Sequence, residues 1–268
     1  MRLSGKRVWI TGASAGIGAA LARHAAELGA DLTLSARSAD KLEAVGDSLA
    51  TGTDWESLRL DLTRPEDFAA AVAHVGPVDY LINNGGISQR ATALDTEPRV
   101  VRRVMEVNYF GQVELTRLVL PGMIARRTGH IAVTSSVAGK IGTPLRSAYA
   151  ASKHALHGFF DSLRYEVEPH GLRVTMLCPG YIHTDISRNA VTGDGTPQGT
   201  MDAHQAAGMS PGEFASRAWH AILAGREEVY IGGKELAGVY LGRYAPGILR
   251  RVLRKRDWDN APAPGEGQ

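Results

Sequence analysis

The stretch VWITGASAGIGAAL, Val8–Leu21, decides how the rest of the chain is read. A β-branched apolar run ends at Thr11, glycines follow at Gly12, Gly16 and Gly18, and an Ala/Leu-rich segment begins at once. Glycines between a strand and a helix permit a tight turn, and let backbone N–H groups approach a pyrophosphate at the helix N-terminus. The order is G-x-x-x-G-x-G, not the commoner G-x-G-x-x-G. No G-K-[ST] follows, which disfavours a nucleotide-hydrolysing P-loop. Gly12, Ser14, Gly16, Ile17 and Gly18 are therefore expected to hold the phosphates of a dinucleotide.

Outward from this turn the chain alternates. Strand-like runs fall at Arg7–Thr11, Asp31–Ala36, Ser57–Asp61, Asp79–Asn83, Gly129–Ser135 and Arg173–Cys178. Helix-length segments such as Ile17–Leu28, Ala39–Leu49 and Pro65–Val75 lie between them. Alternation of this kind predicts an α/β fold, a Rossmann-type doubly wound parallel sheet with helices on both faces. The strands are almost continuously apolar, as a sheet buried on both sides requires. From Gly180 to Met209 the pattern lapses into Gly, Thr, Asn and Asp, too long for an ordinary connection, so a substrate lid is expected at 180–209. Regular structure resumes at SPGEFASRAWHAIL, with Ser210 as N-cap, Pro211 as first helical residue and Glu213 as capping-box partner. EEVYIGG reads as a last strand. One domain is expected over 1–232, a basic amphipathic segment over 233–256 and a disordered polar tail over 257–268.

The bulk properties agree. A chain of 268 residues with 44% hydrophobic content supports one large core. A net charge of +2 gives no nucleic-acid footprint. The one cysteine, Cys178, excludes an internal disulfide and points to a reducing compartment. No run approaches the roughly 20 apolar residues of a spanning helix. MRLSGKRVWITG enters a strand pattern without a leader-like apolar region, so a cytoplasmic location is expected.

The end of the second strand selects the nucleotide. An acid there holds the adenosine 2′-hydroxyl, whereas an arginine accommodates a 2′-phosphate. In LSARS, Ala36 stands where an acid would, and Arg37 follows with Ser35 and Ser38 as further donors. NADP(H) is the expected cofactor.

Further along, AYAASKHAL sets Tyr149 and Lys153 four residues apart, on one face of a helix, with only small residues between them. A lysine charge beside a phenol favours the phenolate. Ser136, within AVTSSVAG, lies thirteen residues before the tyrosine, and MEVNYFG carries Asn108 in a helical stretch. With TGASAGIG, LINNGG and LCPGYIHT, these motifs resemble the short-chain dehydrogenase/reductase family of the compact single-domain type, over Lys6 to about Gly232. The resemblance implies Tyr149 as acid/base and Lys153 as the residue that depresses the tyrosine pKa and binds the nicotinamide ribose. It implies Ser136 as the hydroxyl that orients the substrate oxygen, with Ser135 structural, and Asn108 as support for a water relay. Asp61 and Leu62 then match the adenine pocket, and Asn83–Gly86, including Asn84 and Gly85, the turn beside the adenine ribose. Pro179, Gly180 and Thr184 match the segment facing the nicotinamide. Gly85 replaces the alanine more usual in this family, which should loosen that turn. The implied partners are a fairly apolar carbonyl or alcohol substrate and a second copy of the chain, as homodimer or homotetramer packed through the helices around Asn108 and Tyr149.

Other residues read more plainly. His154 and His157 share a helix at a spacing of three with no acid or cysteine near in sequence, so a solvated or interface face is expected and no metal. His130 and His183 are isolated, and His204 lies in the lid. Cys178 reads as buried, not nucleophilic. Between Leu236 and Arg256 there are six basic residues and no acid, with Ala245, Ile248, Leu249, Val252 and Leu253 on one helical side. That is the pattern of a helix at a membrane surface; the stronger reading is that the apolar side packs onto its own domain over the substrate entrance. The function expected is interconversion of a carbonyl and an alcohol by hydride transfer. A sugar-nucleotide epimerase or dehydratase, and an NADP-binding sensor without turnover, stay as alternatives.

Overall fold

The computed structural model describes residues 2–255. Seven strands, β1 (Arg7–Thr11), β2 (Asp31–Ala36), β3 (Trp55–Arg59), β4 (Tyr80–Asn83), β5 (His130–Thr134), β6 (Arg173–Pro179) and β7 (Glu228–Ile231), form one parallel sheet. Their order is β3-β2-β1-β4-β5-β6-β7. The helices are α1 (Gly16–Glu27), α2 (Ala39–Gly46), α3 (Phe68–Val75), α4 (Pro98–Met105), α5 (Gly111–Arg126), α6 (Ser147–Val167), the single turn α7 (Ala203–Ala206), α8 (Pro211–Leu223), α9 (Ala237–Tyr244) and α10 (Pro246–Lys255). Strand order reverses between β1 and β4, and the crevice outside the carboxyl ends of such strands is where ligands bind in open α/β sheets.

Alternation along β1 shows how the core divides. Val8 and Ile10 pack with Leu32, Leu34 and Trp219 on one face, while Trp9 packs with Leu81, Ile131 and Phe160 on the other. Both faces are dry, so the backbone polar groups must pair within the sheet. Trp9 and Trp219 each find a partner for the indole N–H, at Ser35 Oγ (2.6 Å) and the Leu21 carbonyl (2.9 Å).

Among the boundaries that differ from expectation, two have clear local reasons. The third strand ends at Arg59 and not at Asp61, because the Asp61 carboxylate accepts from the Thr63 amide and hydroxyl, both at 2.9 Å, and turns the chain. Helix α2 stops at Gly46, where the Trp55 indole occupies the space a Cβ would need. Ser210 does cap α8, accepting from the Glu213 amide at 3.2 Å, but the Glu213 carboxylate pairs with Arg217 in place of closing a capping box.

The lid expected over 180–209 is tied down along its length. Ile182 bridges Met209, Val191 bridges Gln89 and Pro197, and Ile182, Ala190 and Val191 are buried. Asp202 pairs with both Arg90 and Arg146. Apolar anchors spaced by turns, not by a helix or strand period, fix this segment, which is why no periodicity marks it.

The C-terminal hairpin meets its expectation halfway. Gly238 and Gly242 of α9 lie against Ile141, and Leu249 of α10 lies against Gly242. Ile248 and Val252 stay exposed, and no residue of α10 is buried. The polar tail expected over 257–268, and Arg256, fall outside the described residues.

Candidate active site

The first turn is built by contact between two backbones. Gly12 has φ of +66°, and a Cβ on it would stand 2.7 Å from Gly85 Cα, closer than real atoms approach. Asn84 and Gly85 are held there by Thr11, whose hydroxyl accepts both amides at 3.0 and 3.1 Å. The Asn84 side chain in turn donates to the carbonyls of Thr11 and Gly12. Gly85 does not loosen this turn. Leu62 Cδ1 fills the place an alanine methyl would take, and Gln112 Nε2 donates to the Gly85 carbonyl at 2.6 Å.

At the nucleotide end, Arg37 and Ser38 are exposed just past β2, and Ser38 leaves its side chain out of the cap of α2. Arg59 stands opposite Ala36 in the β2–β3 register and brings a second guanidinium to the same sheet end, a residue the sequence reading passed over. Asp61 is half-buried. Burial alone would raise its carboxyl, but the Thr63 hydrogen bonds and the charges of Arg37 and Arg64 hold it below the usual range. The turn of Gly12, Gly16 and Gly18, with Asp61, Leu62, Asn84 and Gly85 beside it, fits a dinucleotide: the glycines let the turn close against Gly85, Thr184 and its own backbone, and the backbone then leads into the N-terminus of α1, where a pyrophosphate binds.

The catalytic candidates converge in a dry cluster. Tyr149, Lys153, Ser136 and Asn108 are all buried. Lys153 Nζ lies 5.8 Å from the centre of the Tyr149 ring and donates to the Thr134 carbonyl at 2.7 Å. Burial lowers the ammonium from 10.5 to about 8. The same burial raises the Tyr149 phenol, opposed by the Ser136 hydroxyl and more weakly by Arg146. The expected depression of the tyrosine by Lys153 has no counterpart in this geometry: the ammonium is directed to the Thr134 carbonyl, and burial outweighs the Ser136 and Arg146 interactions.

Asn108 sits in a π-helical turn, Glu106–Phe110, inserted between α4 and α5. That insertion turns its amide onto Ile87, where Oδ1 accepts from the Ile87 amide (2.8 Å) and Nδ2 donates to the Ile87 carbonyl (2.9 Å) and to Ser152 Oγ (3.0 Å). Such turns recur at functional sites. On the far rim, Thr184 packs its methyl beside Gly16, and Glu235 accepts from the amides of Tyr181 and Gly233, next to Pro179 and Gly180.

Two residues took their role only from the tertiary structure. Gln89 is buried, and its Oε1 accepts from the amides of Ala148 (2.8 Å) and Tyr149 (3.4 Å). It caps the N-terminus of α6, where Arg146 provides no side-chain cap. His157, expected on a solvated or interface face without an acid or cysteine partner, is instead buried against Ser135, Cys178 and Glu228. Strands β6 and β7 bring Cys178 and Glu228 from far along the chain, and Ser135 follows directly on β5. Cys178 is buried, and burial pushes its thiol well up, which leaves it unreactive as a nucleophile.

Comparison with known proteins follows this geometry. A family profile described as short chain dehydrogenase matches residues 6–195. The bovine (Bos taurus) protein named dehydrogenase/reductase SDR family member 7B is 45% identical over 261 residues, covering 93% of this chain and 80% of its own length. A metagenomic short-chain oxidoreductase solved in complex with NADP has a TM-score of 0.71 at 32% identity, over 86% of this chain and 98% of its own. A short chain dehydrogenase/reductase from Burkholderia phymatum, solved with NAD, has a TM-score of 0.80 at 24% identity, over 96% and 97%.

Proposed function

Since the chain belongs to the short-chain dehydrogenase/reductase family of oxidoreductases, we propose that it is an NADP(H)-dependent enzyme interconverting a carbonyl and an alcohol. The observation that carries this reading is the burial of Tyr149, Ser136 and Lys153 in one cluster at the carboxyl ends of the strands. The nicotinamide supplies hydride transfer. Tyr149 gives its proton to the substrate oxygen, or takes one from it, and the Ser136 hydroxyl orients that oxygen. Lys153 holds positive charge beneath the phenol and binds ribose hydroxyls in place of the Thr134 carbonyl. Asn108 keeps Ile87 and Ser152 fixed around the lysine. Arg37, with Ser38 and Arg59, recognises the 2′-phosphate.

The substrate is read as a small, fairly apolar carbonyl compound. A homodimer or homotetramer is supported by Phe110 and Tyr165, large side chains left exposed on the π turn and on α6. Peripheral contact with an anionic membrane is supported by α10, whose Ile248 and Val252 are exposed beside Arg250, Arg251, Arg254 and Lys255. Among the described residues no helix is long and apolar enough to cross a membrane.

A direct test follows NADPH and NADH consumption by the full chain against a panel of ketones and aldehydes. Turnover with NADPH supports the enzyme. Binding of NADPH with no turnover on any member, and none in reverse with alcohols, would make the chain a sensor.

A further inference from the structure

One turn past Lys153 along α6, three metal-ligating side chains meet away from the reacting groups. His157 comes from α6, Cys178 from β6 and Glu228 from the start of β7. The β6–β7 register sets Met176 beside Glu228 and Cys178 beside Tyr230, so Cys178 and Glu228 present the same sheet face toward α6. One donor atom from each of the three lies within 4.8 Å of the others. His157 Nε2 is 3.8 Å from Cys178 Sγ, and Nδ1 is 3.4 Å from a Glu228 oxygen. Nδ1 is buried without a hydrogen bond, so a polar atom of a buried side chain points unsatisfied into the cluster.

We infer that His157, Cys178 and Glu228 form a site for a borderline transition-metal ion of the Zn²⁺ type. Thiolate, imidazole and carboxylate are the donors zinc takes, and the thiolate and imidazole select against Mg²⁺ and Ca²⁺. His157 Nδ1, the unpartnered ring nitrogen, is the donor: bonds of 2.0–2.1 Å to nitrogen and 2.0–2.2 Å to a carboxylate oxygen at a tetrahedral angle hold those two atoms about 3.4 Å apart. The observed 3.4 Å from Nδ1 to Glu228 needs little movement, and a turn of the Cys178 side chain from the Nε2 side, where it lies 3.8 Å away, brings Sγ in as the third ligand. Ser135 Oγ, 3.0 Å from His157 Nε2, stands beside the cluster as a neutral oxygen.

A cation of the chain itself stands at this site. Lys140 Nζ pairs with Glu228 at 2.8 Å, and both side chains are about a quarter exposed (27% and 25%). That edge is the entry path: the metal replaces the ammonium, Lys140 swings to solvent, and the Cys178 thiol loses its proton to water as it becomes a ligand. Tyr230, which donates to the other Glu228 oxygen, stays as the group orienting the carboxylate.

The test uses the full chain, stripped with a chelator and titrated with Co²⁺ and then with Zn²⁺ against a chromophoric chelator. The chain has one cysteine, so a near-ultraviolet thiolate-to-cobalt band reports this site and no surface histidine. The expected result is one equivalent of bound metal with that band, displaced by Zn²⁺. Cys178→Ser should remove the band, and His157→Gln should weaken binding at least tenfold. Lys140→Gln, a partly exposed change that leaves the core intact, should tighten binding several-fold. Absence of the thiolate band in the folded wild-type chain, or zinc binding equal in wild type and Cys178→Ser, would overturn the site.

Discussion

Lys153 reaches past the Tyr149 ring to the backbone of Thr134, donating to that carbonyl at 2.7 Å. Tyrosine and lysine therefore share a dry pocket without sharing a hydrogen bond, and burial moves each toward its neutral form. Several measurable consequences come from this and from the groups around it.

The lysine gives a pH signature of stability. Its ordinary value is 10.5 and the folded value is about 8. Between the two, the unfolded chain holds a proton that the folded chain has released, so stability gains with rising pH across that window. Below pH 8 both states are protonated, and the cost of burying the charge is fully present. Denaturant titrations from pH 7 to 9.5 should show the wild type gaining on Lys153→Met by up to about 1.4 kcal/mol per pH unit above 8. Comparison with the variant cancels the other titrating groups. Parallel pH profiles for the two proteins would contradict the buried, charge-penalised lysine.

Tyr149→Phe removes only the phenolic oxygen from a packed ring. Turnover should fall by roughly 10²–10⁴-fold, the range of a general acid, with NADPH affinity near wild type. Activity above about a tenth of wild type would assign the proton to another group.

Arg37 is exposed and has a clear approach to a phosphate at the end of β2. Arg37→Ala should weaken NADPH binding by about 1.5–3 kcal/mol, as loss of a charge-assisted contact does, and leave NADH nearly unchanged. Arg59→Ala should give a smaller loss of the same selectivity. Equal affinity of the unmodified protein for the two cofactors would refute the 2′-phosphate reading.

Gln89 holds the first amides of the helix that carries Tyr149. Gln89→Leu keeps the bulk and strips both acceptor and donor, leaving buried amides without their acceptor and Thr96 without the donor it accepts from. A stability loss on the order of 1–3 kcal/mol is expected, with kcat falling more than NADPH affinity because the tyrosine loses its fixed position. If kcat is unchanged while the melting temperature drops, Gln89 supports the fold and not the catalytic geometry.

For α10, the intact chain should co-sediment with vesicles containing phosphatidylserine at low ionic strength and release as salt rises, with about 1 kcal/mol per basic residue at stake. Truncation after Tyr244 should abolish it. Retention of the intact chain in the supernatant would leave α10 as a cover for α9 alone.

Much of the architecture was legible because it is local. The run from Val8 to Leu21 set a strand, a glycine turn and a helix in covalent order, and β1 and β2 occupy the bounds their apolar runs predict. Tyr149 and Lys153 share a face because an α-helix returns after 3.6 residues, a relation fixed by spacing alone. What the chain could not state in one dimension is which groups meet from different elements. Gln89 becomes the cap of α6 because the 180–209 segment, bridging Gln89 through Val191, brings it there. His157 read as solvated or at an interface since its partners lie 21 residues away and further, and only the β6–β7 pairing carries Cys178 and Glu228 to it. The direction of the Tyr149 and Lys153 shifts was likewise decided in three dimensions. Proximity of two charges is written in the sequence, whereas desolvation depends on everything that closes over them.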